Sequence, residues 1–266
     1  MPEYKFLLYE TLDSGRVVRI MLNRPDSRNA QNRGLLVELN DAFMHAESED
    51  DVRVVILGGT GPMFSSGHDL GSKVAREEGM PGPNQHPTRT MNGATRKGAE
   101  ALMLQEWHYF YDNTRRWRNL RKITIGQAHG DVYAAGLMLL WACDLIVCAE
   151  GTRFADVVGA RLGMVSKVFP GDELADRTLE YAQRIAALPT MTALLIKESV
   201  NQSVDNMGFY NALNACFTLH ELNHSHWAEL HPDKTPRGLP EDGTPDWRSA
   251  PPIVPARPDL VRAPEA

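Results

Sequence analysis

Ile123-Thr124-Ile125-Gly126-Gln127-Ala128 is a β-branched run ending near Gly130; the small residues of Tyr133-Ala134-Ala135-Gly136 follow, and Leu145-Ile146-Val147-Cys148-Ala149 closes the stretch. In order they predict a buried strand, a helix entered through small side chains, and a second buried strand. The most apolar part, Ala134 to Ala149, contains Asp144 and is shorter than the ~18–20 residues that cross a bilayer. It is a core segment.

Upstream, Val52–Leu57 is a further β-branched run, ending at Gly58-Gly59. Phe6–Glu10 and Val17–Leu22 flank Asp13-Ser14-Gly15, the chemistry of a hairpin turn. Leu35, Leu36, Leu39, Ala42 and Phe43 fall at helical spacing. From Gly98 to Leu120 helical character returns, with Leu102, Trp107, Phe110, Tyr111 and Trp117 as expected buried positions. Strands alternating with helices favour crossover connections and a largely parallel sheet, so the class is α/β. The expected organisation is a core over 1–200, a C-terminal helical oligomerisation region over 201–230 and a proline-rich extended tail over 231–266. Within the core, residues 73–97 hold Pro81, Gly82, Pro83, Pro87 and Gly93 and read as a mobile loop or lid.

The 266 residues are 42% hydrophobic and 23% charged, an ordinary globular composition, with a formal charge of −6. A pI near 5.9 argues against a broad phosphate-gripping surface, so no nucleic-acid partner is expected. Cys143, Cys148 and Cys216 lie in apolar stretches and read as buried reduced thiols, which suits the cytoplasm. Met1 to Phe6 shows no secretory signal. No membrane segment is expected.

Leu22-Asn23-Arg24-Pro25, Val52–Gly61 with Phe64-Ser65-Ser66-Gly67-His68-Asp69-Leu70, Arg121–Gly130 and Ala142-Cys143-Asp144, in this order and spacing, resemble the enoyl-CoA hydratase/isomerase superfamily. Arg153-Phe154-Ala155-Asp156 and Arg161–Pro170 extend the resemblance over most of Met1 to Leu230. It implies the ClpP/crotonase fold, twisted sheets flanked by helices, with C-terminal helices exchanging contacts in a homo-oligomer, a trimer or dimer of trimers. The substrate it implies is an acyl-coenzyme A thioester, with coenzyme A part of the substrate and no separate cofactor or metal. Hydration, isomerisation, hydrolysis and decarboxylation of such thioesters all put negative charge on the carbonyl oxygen, which two fixed backbone N–H donors can hold. By resemblance those donors are His68 and Ala135. The coenzyme contacts would be Arg28, Asn29, Ala30, Ser66, His68, Asp69 and Leu70, with Arg28 and Asn29 toward the phosphates.

The sequence departs from the family in two places. The two glutamates that hydratases use fall at Met138 and at or near Val158, where no side chain can move a proton. Asp69, Asp131, Asp144 and Asp156 are the nearby acids. Asp131 is the first candidate base, provided burial raises its pKa and Tyr133 donates to it; capping the next helix is its bland alternative. The His68 imidazole either moves a proton or merely packs. Secondly, Phe154–Ala160 runs almost directly into Arg161–Lys167, where the family has a helical roof over the acyl pocket. A stretch of chain omitted between Gly159 and Gly163 is favoured over a true deletion, and Cα spacings well above about 3.8 Å would show it. The expected function is therefore transformation of an acyl-CoA thioester of the hydratase/isomerase type without the glutamate pair. Thioester hydrolysis, decarboxylation, or binding without turnover are the alternatives.

Two rival motifs are weaker. His220-Glu221-Leu222-Asn223-His224 matches the zinc-hydrolase pattern, with Glu229, His226 or His231 as a third ligand, but an apolar face of Phe209, Leu213, Phe217 and Trp227 packing on a neighbouring subunit already explains the helix. Arg115-Arg116-Trp117-Arg118 with Arg121-Lys122 invites an RNA reading, yet cations at a helix C-terminus stabilise it anyway.

Overall fold

A computed structural model describes residues 2–79, 103–155 and 164–230. Asp156, the Val158 position, the suspected break between Gly159 and Gly163, and the tail from His231 lie outside the described residues, as does most of the expected loop. Its start, Lys73–Gly79, is not loop but helix.

β1 (Leu7–Leu12) pairs antiparallel with β2 (Val17–Leu22). The connection turns through Asp13 at φ 51°, Ser14 at 55° and Gly15 at 94°, three left-handed residues that reverse the chain in minimal length. Helix α1 (Arg33–Ser48) leads to β3 (Val54–Gly59), followed by α2 (Lys73–Gly79), a π turn (Trp107–Asp112) and α3 (Asn113–Arg118). β4 (Ile123–Ala128), β5 (Asp131–Tyr133), α4 (Ala135–Trp141), β6 (Leu145–Ala149), β7 (Arg153–Ala155) and β8 (Lys167–Phe169) come next. Helices α5 (Leu174–Ala186), α6 (Thr190–Asn206) and α7 (Phe209–Leu230) complete the described chain. Among the described residues the main sheet runs β1-β2-β3-β4-β6-β8, all neighbours parallel beyond the hairpin, and β5 pairs with β7 in a second, parallel sheet. One compact unit spans Met1–His224, and a second begins at Ser225.

The main sheet is buried on both faces, which is why its central strands read as unbroken apolar runs. Val55 and Leu57 point to one face with Leu35, Leu39, Phe43, Trp117 and Leu137. Val54 and Ile56 point to the other with Ile123, Ile125, Leu174, Ala182 and Ala186. The period of two thus divides β3 between α1, α3 and α4 on one side and α5 on the other. Gly126 lets α4 approach, since a Cβ there would lie 2.6 Å from Leu140 Cδ2.

The π turn changes the burial expected of the 98–120 segment. Its wider winding shifts the helical phase, so Tyr109 and Tyr111 are buried while Trp107, expected inside, is 48% exposed and packs edge-on to Phe217. Trp117 is buried against Phe43, and Arg118 pairs with Asp205 at 2.9 Å while covering the Phe209 ring. That tryptophan has no face for a base, so the RNA motif reads as structural. Phe217 also packs on Tyr111 within the chain, so part of the apolar face expected to meet a neighbouring subunit is used internally. Cys148 is buried and Cys143 partly so, but Cys216, expected inside, is exposed; all three are free. No described helix is long and apolar enough to cross a membrane.

Candidate functional site

The site forms where the segment after β3 meets the start of α4. Phe64 donates its amide to the His129 carbonyl at 2.9 Å, and Tyr133 donates to the Ser65 carbonyl at 3.0 Å. Ser65, fully buried, donates its hydroxyl to the Asn29 carbonyl at 2.9 Å. Ser66 donates to Arg28 O at 3.0 Å, Gln31 to Gly67 O at 2.7 Å and Asp69 to Gln31 O at 3.2 Å. The structure therefore places Arg28, Asn29 and Ala30 beside Ser66, His68 and Asp69.

Gly67 and Ala135 approach each other closely. Gly67 has φ +88°, and a Cβ there would lie 3.1 Å from Ala135 N and 2.9 Å from Tyr133 O. Gly136 is likewise obligatory, because its Cβ would lie 2.8 Å from Ser65 O. Ala135 opens α4, so its N–H has no intrahelical acceptor, and the helix dipole favours an anion in front of it. The His68 ring stacks on Phe110 with centroids 4.1 Å apart. A packing role for the imidazole is met; the sequence left it open.

Ala134 precedes the helix at φ 45°, ψ −117°, a conformation natural only to glycine. Left-handed strain of about 1–2 kcal/mol exceeds the 0.5–1 kcal/mol that glycine's extra freedom costs. Ala134→Gly should therefore raise stability by roughly 0.5–1 kcal/mol, read as a higher urea midpoint at unchanged m-value.

The candidate coenzyme contacts differ in what their side chains have left to offer. Asn29 is fully buried, accepts Arg24 N at 2.9 Å and donates to Thr60 O and Met63 O at 2.8 and 3.0 Å. Its amide is a structural brace and does not reach a phosphate. Asp69 is pinned by Arg24 Nη1 at 2.7 Å and by Ser72 Oγ at 2.6 Å. Burial pushes its carboxyl up, but the Ser72 hydroxyl and amide and the Arg24 guanidinium outweigh it and hold the pKa below the ordinary value. Ala30 is buried, whereas Leu70 is 57% exposed and Arg28 exposed, so the side chains of these last two face solvent.

Asp131 does not meet the condition set for a base. It lies in β5 rather than capping α4, and Arg153 donates to it from Nε at 2.5 Å and Nη2 at 2.7 Å. The Arg153 hydrogen bonds, helped by Tyr133, hold its carboxyl below the usual range, and burial, which would raise it, is the smaller effect. Asp144 serves as a brace between β4 and α6, with Lys197 Nζ at 2.9 Å. Met138 is half-buried in α4. Asp69 and Asp131 are both held below the ordinary carboxylate value, so neither is poised to take a proton near neutrality. The Arg24–Asp69 and Lys197–Asp144 pairs escaped the sequence reading because their partners lie 45 and 53 residues apart, with no local signal.

The HExxH segment is occupied differently from a zinc-hydrolase helix: His220 Nε2 meets Glu106 Oε2 at 3.1 Å, and Glu221 is buried.

A family model described as enoyl-CoA hydratase/isomerase matches residues 13–92. The chain is 54% identical to EchA13 of Mycobacterium tuberculosis, an enoyl-CoA hydratase by name, over 96% of this chain and 92% of that one. The match spans 291 aligned positions against 266 residues here, so the relative carries residues with no counterpart in this chain. A Mycobacterium smegmatis structure that bears the name enoyl-CoA hydratase superposes at TM-score 0.72 with 30% identity, covering 85% of this chain and 97% of the other. An enoyl-CoA hydratase/isomerase structure from Xanthobacter autotrophicus Py2 superposes at TM-score 0.70 with 24% identity, covering 87% and 94%.

Proposed function

Because the chain belongs to the enoyl-CoA hydratase/isomerase superfamily and has the crotonase fold, we propose that it binds an acyl-CoA thioester with the carbonyl oxygen between the amides of His68 and Ala135. The close approach of Gly67 to the Ala135 nitrogen carries this reading, since it sets the two donor-bearing segments side by side. Negative charge developing on the oxygen would be met by two fixed N–H dipoles and by the α4 N-terminus, worth about 3–4 kcal/mol per donor in comparable sites. Arg28, exposed near Asp131 and Tyr133, suits the coenzyme's phosphates. Leu70 suits its pantetheine arm.

The reaction is transformation of the thioester through an enolate-like oxyanion without the paired glutamates. With Met138 in place of a glutamate, steps needing little proton transfer from protein, such as hydrolysis or decarboxylation, are the alternative, as is binding without turnover. Exposed Met191, Leu195, Ile196, Val200, Leu219 and Leu222 on α6 and α7 support a homo-oligomer, by family a trimer or dimer of trimers. The Cys143 thiol, which burial and Asp144 push up to about 12, suits a reducing cytoplasm.

Mass spectrometry of a panel of enoyl-, hydroxyacyl- and malonyl-type CoA thioesters tests the reading. At least one should turn over, and Asp131→Asn should change its rate about fivefold at most, the scale of an exposed pair. A larger loss would return Asp131 to the mechanism. Tight calorimetric binding without turnover would select the non-catalytic alternative, and neither binding nor turnover would end the assignment.

A further inference from the structure

Apart from the oxyanion site, two helical segments of the main unit bring one imidazole and two carboxylates to a single point. Glu106 ends the helical residues before the π turn, and His220 and Glu221 are successive in α7. One ligand-capable atom from each lies within 4.8 Å of the other two. His220 Nε2 and Glu106 Oε2 are 3.1 Å apart, close to the roughly 3.3 Å edge of a tetrahedron whose corners sit about 2.0–2.1 Å from a zinc ion.

Burial adds an independent argument. Glu221 is 2% exposed and the Glu106 side chain 13%, while the His220 side chain is 49% exposed. Two carboxylates withdrawn from water at this separation repel one another. A divalent cation balances both. The half-open imidazole gives it a way in, and the supports are fixed, since Phe217 packs on the Trp107 and Tyr111 rings and Tyr111 hydrogen-bonds Asn214.

We propose that Glu106, His220 and Glu221 bind one divalent transition cation of the zinc class, joining α7 to the helix before the π turn. An imidazole nitrogen with two carboxylates suits such a metal better than Mg²⁺ or Ca²⁺, which prefer oxygen alone. The site differs from the hydrolase pattern that the sequence suggests: Glu221 is a ligand rather than a base, and the third ligand is Glu106 rather than Glu229, His226 or His231.

Calorimetric titration of the chelator-stripped full chain with Zn²⁺ should show one saturable equivalent and no response to Mg²⁺. Melting should rise by about 5 °C or more at a hundredfold excess over Kd. Glu221→Gln and His220→Gln should each weaken binding about tenfold or more while leaving the far-ultraviolet dichroism unchanged. Glu106→Gln, on the other helix, makes the same test if an α7 variant fails to fold. Both α7 variants retain His224, His226 and His231, so undiminished Zn²⁺ affinity in them would place the ion on those side chains and overturn the site. Absence of saturable Zn²⁺ uptake by the unsubstituted chain would overturn it as well.

Discussion

Gly67→Ala is expected to lower kcat by about a hundredfold or more for whichever CoA thioester the protein turns over, with a much smaller change in KM. The added methyl would sit 2.9 Å from Tyr133 O, 3.1 Å from Ala135 N and 3.2 Å from Ala134 Cβ. Two of these neighbours are main-chain atoms of the segment that delivers the second donor, so they cannot swing aside as a flexible side chain would. Relief requires the 65–68 and 133–136 segments to separate, and that widens the proposed slot for the thioester oxygen. Two separate costs follow. Forcing alanine into φ +88° costs about 1–2 kcal/mol and shows as reduced stability. Misplacing an oxyanion donor costs about 3–4 kcal/mol and shows only in the transition state. The second is larger, so turnover should collapse while most of the protein remains folded at room temperature. Gly71→Ala is the control: nothing lies within 4 Å of a Cβ at that position, and both stability and turnover should be unchanged. A Gly67→Ala enzyme whose kcat stays within about threefold of the original would remove the paired amides from the mechanism.

The parts of the fold that were legible in the sequence are those whose signal is local. β4 and β6 coincide with the runs Ile123–Ala128 and Leu145–Ala149, because strands buried on both faces need apolar, β-branched residues without interruption. The opening hairpin is announced by Asp13-Ser14-Gly15, and the register Leu7↔Leu22 to Leu12↔Val17 follows from so short a connection. β5 and β7 gave no such signal: each is three residues long, and Asp131 and Arg153 pair on their exposed edge. By contrast, α5 turns Leu174, Thr178, Ala182 and Ala186 inward with a pronounced helical period, a local signal that is present in the sequence. α2 is held by a distant contact, the buried Glu78 carboxylate accepting from Asn32 Nδ2 at 2.6 Å and Gly34 N at 3.1 Å, so the prolines and glycines beyond it outweighed a segment with ordinary helix formers.

The site shows the same division. Glycine and alanine at 67, 135 and 136 are readable because a close backbone approach admits only small residues, and the geometry of Gly67 and Gly136 shows the reason. The charged residues were harder. An aspartate beside a strand end looks like a candidate base in sequence, but its basicity depends on partners that only folding supplies. Arg153 lowers Asp131, whereas Arg24 and Ser72 together hold Asp69 down against burial. Both acids are consumed in positioning the loops that carry the proposed amides.

Asp144 carries the second large effect, on stability rather than turnover. Its Oδ2 accepts from Thr124 N at 2.8 Å, from Thr124 Oγ1 at 3.0 Å and from Lys197 Nζ at 2.9 Å, while Lys197 also donates to Lys122 O at 3.0 Å. The Lys197 side chain is 6% exposed and that of Asp144 17%, so the ammonium cannot turn to water when its partner is removed and the carboxylate can do so only in part. Asp144→Ala should therefore destabilise the fold by about 3–5 kcal/mol, since it strands an ammonium with a single carbonyl and leaves the Thr124 donors unmet. Lys197→Met should cost less, because the carboxylate keeps both Thr124 bonds and its own partial access to solvent. The combined Asp144→Ala, Lys197→Met variant removes both charges, leaving no stranded ammonium, and should recover about 2 kcal/mol relative to the sum of the two single changes. Urea unfolding of the four proteins gives these differences directly. A loss below about 1 kcal/mol for Asp144→Ala would mean that the pair behaves like a solvated surface bridge, and that α6 is held to the sheet by apolar packing alone.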